Sequence, residues 1–135
     1  MNMRAEVAGL VHGALKEAFP QAELDAAAIG GMLELPPDPA LGDFAFPCFQ
    51  LSRTLRMSPP QIAQQLLAHV PENALARAEV KGGYLNFFFH TVQLSRQVLD
   101  AVLAAPEQWG AGDEGKGKTI CIDYSSINIA KRFHI

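Results

Sequence analysis

Between Ala76 and His90 the chain changes its rhythm. Before that point apolar residues recur every three or four positions, but in ARAEVKGGYLNFFFH they alternate with polar ones and are broken by Gly82 and Gly83. This predicts strand, tight turn and strand, with both glycines supplying positive backbone dihedrals. The second strand carries Tyr84, Phe87, Phe88 and Phe89, too many aromatics for one wet face, and is expected at the centre of a sheet, buried on both sides. A chain holding such a hairpin must cover it with helices.

Those helices are legible on either side. From Met3 to Phe19 the apolar positions Val7, Leu10, Val11, Ala14, Leu15 and Ala18 form one face, and Pro20 marks the stop. After an alanine-rich connection, Met32 to Leu35 is expected to be a short strand, followed by a proline-rich loop on a rigid extended path. A helix is expected from Asp43 or Phe44, with Phe46, Phe49 and Leu51 in the core and Pro47 in its first turn. Ser58 and Pro59 or Pro60 open the next helix, whose stripe is Ile62, Leu66, Leu67 and Val70. Thr91 caps a last one, in which Leu94, Val98, Leu99, Val102 and Leu103 are expected to face the core until Pro106 ends it. The fold class is therefore α/β of the α+β type, a small sheet of a few strands packed with about four helices.

Composition sets the limits. With 135 residues, 49% hydrophobic and 19% charged, the chain suits one domain with a real core but not a second complete nucleotide-binding domain. No apolar run approaches the roughly 20 residues of a membrane helix, and Glu6, His12 and Lys16 break up the N-terminus, so no membrane and a cytoplasmic location are expected. Cys48 and Cys121 lack metal-ligand spacing and are read as buried apolar residues, with no metal site. A net charge of −3 argues against non-specific nucleic-acid affinity but leaves room for a small, specific RNA contact.

Pro106 to Lys118 has four glycines and no periodicity and is read as a linker. Within it, GDEGKGKT (Gly112 to Thr119) fits the phosphate-loop formula. Element order argues against that use: no strand precedes it, TICIDYSS after it alternates like a strand, and Asp113 and Glu114 would put two negative charges in the anion cradle.

The final strand, expected from Thr119, runs into DYSSINIAKRFHI (Asp123 to Ile135), a polar loop rich in hydrogen-bonding groups. This stretch resembles the first signature region of the arginyl-tRNA synthetases, class I enzymes in which a strand leads into the HIGH motif. It departs from the family pattern at Ile127 and Arg132, where proline is common. LGDFAFPCFQLSR, SPPQIAQQLL and KGGYLNFFF are similar to the upstream segments of the same family. The resemblance implies that residues 1–110 are the appended N-terminal module that meets the D-loop of tRNA, that 111–118 are a linker, and that 119–135 begin the Rossmann-like catalytic domain, cut within the signature.

The implied function is arginine–tRNA ligation by a parent enzyme, with ATP and Mg2+ as substrate complex, arginine and tRNA as partners, and no organic cofactor. A monomer is expected, and the 135-residue chain alone is expected to be inactive. By the resemblance, Asp123, Ser126 and Asn128 would hold arginine, Lys131 and His134 would serve ATP, and His134 would be catalytic by stabilising charge on the phosphates. Tyr84 and Asn86, two apart on one strand face, would stack on and read an unpaired base; their bland reading is a core-edge tyrosine and a satisfied amide. Arg53, Arg56 and Lys81 would position phosphates, or simply form a solvated face. The competing function is a free-standing RNA- or protein-binding module without catalysis.

Overall fold

The computed structural model describes residues 2–71 and 76–124, and the chain falls into two units, Met1–Asp100 and Ala101–Ile135. The first opens with α1 (Met3–Ala18), where the Asn2 side chain accepts from the Ala5 N–H at 3.1 Å. Val7, Val11, Ala14 and Leu15 are buried as the spacing leads one to expect, joined by Ala8, while Leu10 and Ala18 are only partly buried. α2 (Ala26–Met32) follows, capped by Asp25, which accepts from Ala28 N–H at 2.7 Å. Met32 to Leu35 is thus not a strand. The Ala26–Ala28 run propagates a helix once Asp25 caps it, and only Glu34 makes a β-bridge, to Ala45.

The predicted helix from Asp43 or Phe44 is also absent. Phe44–Pro47 is a strand, β1, and Pro47 ends it rather than lying in a helical first turn. Asp43 caps the sheet instead, its Oδ2 accepting from the Phe89 N–H at 2.8 Å. A 3-10 turn, Cys48–Leu51, leads into the short α3, Ser52–Leu55. Phe46 and Leu51 are core residues as expected, but Phe49 is half exposed. α4 (Pro59–His69) begins with Ser58 outside it, whose N–H donates to Gln61 Oε1 at 3.2 Å and whose hydroxyl donates to the same oxygen at 2.8 Å. Of its expected stripe, Ile62 and Leu66 are buried, while Leu67 and Val70 pack partly against the core.

The hairpin forms as read: β2 is Ala76–Lys81 and β3 Tyr84–Phe89. Its turn needs positive φ only at Gly82, at 62°; Gly83 is required for a different reason given below. The sheet is antiparallel with order β1-β3-β2, so the aromatic-rich strand is central. One face carries Phe46, Leu85 and Phe87, all fully buried with the inner faces of α1 and α4. Burying each contributes roughly 1.5–3 kcal/mol.

Thr91 is the first residue of α5 (Thr91–Ala104) rather than its cap. No residue of α5 is buried, so Leu94, Val98, Leu99, Val102 and Leu103 do not reach the core; periodicity specified the helix and its stripe, not a cover for that stripe. In the second unit, residues 113–117 form turns, with Lys116 N–H donating to Asp113 O at 2.9 Å. Residues 119–124 are exposed and form no strand, since no ladder partner pairs with them among the described residues. Cys48 is buried as expected, but Cys121 is exposed, because its stretch is not inside a sheet.

Candidate nucleic-acid interface

Antiparallel register decides which side chains share the sheet face away from α1 and α4. Alternation along β3 puts Leu85 and Phe87 inward, so Tyr84, Asn86 and Phe88 lie on the other side. Cross-strand pairing then builds three rows: Pro47, Tyr84 and Lys81; Ala45, Asn86 and Glu79; and Phe88 with Arg77. The expected Tyr84–Asn86 pair and Lys81 are therefore brought together.

They line a groove of about 530 Å³ with Phe49, Gly83 and the proline-rich segment at Leu35, Pro36 and Pro37. That volume is within the range of small-ligand sites. Tyr84 is half-buried and its ring meets Phe49 edge to face, with centroids 5.1 Å apart. Asn86 is 3% exposed, and its Oδ1 has no hydrogen-bond partner among the described residues. An unsatisfied buried acceptor costs about 1–3 kcal/mol, which a ligand donor would recover. Lys81 is exposed on the same face and Glu34 is exposed in the groove wall, so an apolar and aromatic groove holds one buried amide, one solvated cation and one solvated carboxylate.

Two contributors were missed in the sequence. Phe49 read as core, although a residue just after a strand-ending proline is well placed to leave the core. Gly83 read as a turn residue, but a Cβ there would lie 2.7 Å from both Phe49 Cζ and Pro59 Cβ, so glycine is what lets the Phe49 ring approach β3.

The remaining expected sites are not gathered here. Arg53 lies in α3 and Arg56 just beyond it in a left-handed conformation, so the two do not share a helix, and neither lines the groove. Asp123 is exposed. Ser126, Asn128, Lys131 and His134 lie outside the described residues.

The family described as "Arginyl tRNA synthetase N terminal domain" matches residues 5–89, which contain the whole groove. The chain is 42% identical over 113 residues to the arginine–tRNA ligase of Clostridium beijerinckii, covering 84% of this chain and 20% of that protein. It is 44% identical over 105 residues to that of Alkaliphilus metalliredigens, covering 77% and 19%. The structure is similar to Thermus thermophilus arginyl-tRNA synthetase with a TM-score of 0.60 and 31% identity, covering 73% of this chain and 16% of that one. The chain thus spans about a fifth of the length of the curated relatives it matches. By these matches, the chain belongs to the arginyl-tRNA synthetase N-terminal domain family.

Proposed function

We propose that this chain is the tRNA-docking end of an arginine–tRNA ligase, and that the groove takes an unpaired base of the tRNA D-loop. The carrying observation is the buried Oδ1 of Asn86, unpartnered among the described residues, beside the half-buried Tyr84 ring. Single-stranded bases are recognised by stacking on aromatic rings and by hydrogen bonds to their edges. Tyr84 supplies the ring, Asn86 the edge contact and Lys81 a charge for the neighbouring backbone. The low net charge suits this division: affinity comes from one shaped contact rather than from a basic surface.

In this reading the parent enzyme acts in the cytoplasm as a monomer, activating arginine with Mg2+-ATP and transferring it to tRNA. Residues 111–118 link the docking module to a catalytic domain beginning at 119. By the family resemblance, Asp123, Ser126 and Asn128 would hold arginine there, and Lys131 and His134 would serve ATP. Arg53 and Arg56 contribute, at most, phosphate contacts away from the groove.

The test is aminoacylation by the full-length ligase carrying this chain, with tRNA transcripts altered at each D-loop base. Asn86→Ala should flatten discrimination at one D-loop position while leaving charging of a tRNA already altered there unchanged. If a folded Asn86→Ala enzyme keeps the wild-type preference at every D-loop position, the groove does not read a base.

A further inference from the structure

The same sheet face does not end at Asn86. One row further along β3, Phe88 is half-buried, and the Arg77 guanidinium lies over its ring, 4.0 Å from the centroid. Arg77 also pairs with Glu79, which stands opposite Asn86 in the register. Both members of that pair are about half exposed, at 51% and 55%. β1 has no residue paired with Phe88, because it starts at Phe44 opposite Phe87. On that side the chain before β1 takes over: Asp43 donates its N–H to the Phe87 carbonyl and accepts from the Phe89 N–H, both at 2.8 Å. From Tyr84 to Phe88 the strand advances about 13 Å, too far for one nucleotide base to span both.

We infer that Arg77 is a second RNA contact on this face, taking a backbone phosphate of a nucleotide adjacent to the one held at Tyr84 and Asn86; the inference rests on the RNA reading of the groove. The chemistry favours phosphate over a base. Arginine presents a planar fork of donors that matches phosphate oxygens bidentately. The Phe88 ring holds that plane in place, which lowers the ordering needed on binding. Glu79 has two effects: it aims the guanidinium in the free protein, and its carboxylate repels the incoming phosphate. An exposed ion pair of this kind contributes little to stability, so exchanging it for a phosphate loses little. The arrangement also limits non-specific binding, since RNA must displace Glu79 to reach the cation.

The experiment measures binding of an arginine tRNA transcript to the 135-residue chain across a salt series, for wild type, Arg77→Ala, Arg77→Lys, Glu79→Gln, the Arg77→Ala/Glu79→Gln double variant and Asn86→Ala. Arg77→Ala should weaken binding several-fold and reduce the slope of log affinity against log salt by about 0.7–0.9. Arg77→Lys should restore the slope but only part of the affinity, since the charge returns without the fork. Glu79→Gln should tighten binding, and most of that gain should vanish in the double variant. Circular dichroism confirms that each variant is folded. If Asn86→Ala weakens binding while Arg77→Ala keeps wild-type affinity and slope, the Arg77 contact is wrong and the groove reading stands. If wild type binds no transcript, or neither variant differs from it, both fail.

Discussion

The rings of Phe49 and Tyr84 meet edge to face, 5.1 Å between centroids and inclined at 70°. One ring comes from the 3-10 turn after β1 and the other from the first residue of β3. The contact ties the turn to the hairpin and holds the Tyr84 ring in one orientation. Such pairs contribute about 0.5–1.5 kcal/mol beyond their burial. Phe49 is therefore a positioning residue for Tyr84, and its half-exposure reflects a place in the groove wall.

Gly83→Ala should disturb that contact first. The added Cβ would meet Phe49 Cζ and Pro59 Cβ at 2.7 Å. Phe49 can swing away, but the proline ring cannot. The expected cost is about 1–3 kcal/mol, in the range for overpacking. Urea denaturation should show a lower midpoint with an unchanged slope, and a wild-type midpoint would mean that the wall yields freely.

Tyr84 variants should separate stacking from packing. Tyr84→Ala should lose roughly 1–3 kcal/mol of tRNA affinity, whereas Tyr84→Phe keeps the face of the ring and should bind nearly as wild type. Phe49→Ala should weaken binding less than Tyr84→Ala, because it loosens the ring without removing it. Equal tRNA affinity for all three folded variants and wild type would place Tyr84 outside the interface.

How far the sequence discloses this site depends on which signal each residue carries. The hairpin, the α1 and α4 faces, and the shared face of Tyr84 and Asn86 follow from periods of two and 3.6, because burial on one side imposes those periods directly. β1 did not follow: Phe44–Pro47 is four residues long, too short for an alternation to be told from a helical start. α2 was hidden in an alanine-rich run, where helix propensity is strong but an apolar stripe is faint. The groove itself was only half legible, because Phe49, Gly83 and the proline loop come together through tertiary approach and share no spacing.

The two cysteines should behave as different species. Burial pushes the Cys48 thiol up from 9.0 to about 12, opposed in part by a backbone hydrogen bond at Leu85, while Cys121 is exposed. At about pH 8 a thiol reagent should label Cys121 promptly and Cys48 only through unfolding. The raised value also sets a pH dependence. An unfolded thiol ionises near 9.0 and the folded one near 12, so above pH 9 the unfolded state binds fewer protons than the folded state. The contribution is complete below pH 9 and is lost as the pH rises toward 12, by about 1.4 kcal/mol per unit. Cys48→Ser should be less sensitive than wild type over that window, and equal sensitivity would remove Cys48 as the cause.

The last prediction concerns α5. Its apolar stripe resembles that of α4 in sequence, yet Leu66 of α4 is fully buried, while Leu99 and Leu103 of α5 are 59% and 76% exposed. Identical chemistry at the two places should therefore give different energetics. Leu66→Ala should cost about 2–5 kcal/mol, since it removes buried methyl groups and leaves a cavity among Val11, Ile62 and their neighbours. Leu103→Ala should change the stability of the 135-residue chain by no more than about 0.5 kcal/mol, the usual range for surface substitutions. Denaturant midpoints of the two variants decide it. A loss at Leu103 comparable to that at Leu66 would mean that the α5 stripe is covered in solution, because a leucine already in water has no burial to lose.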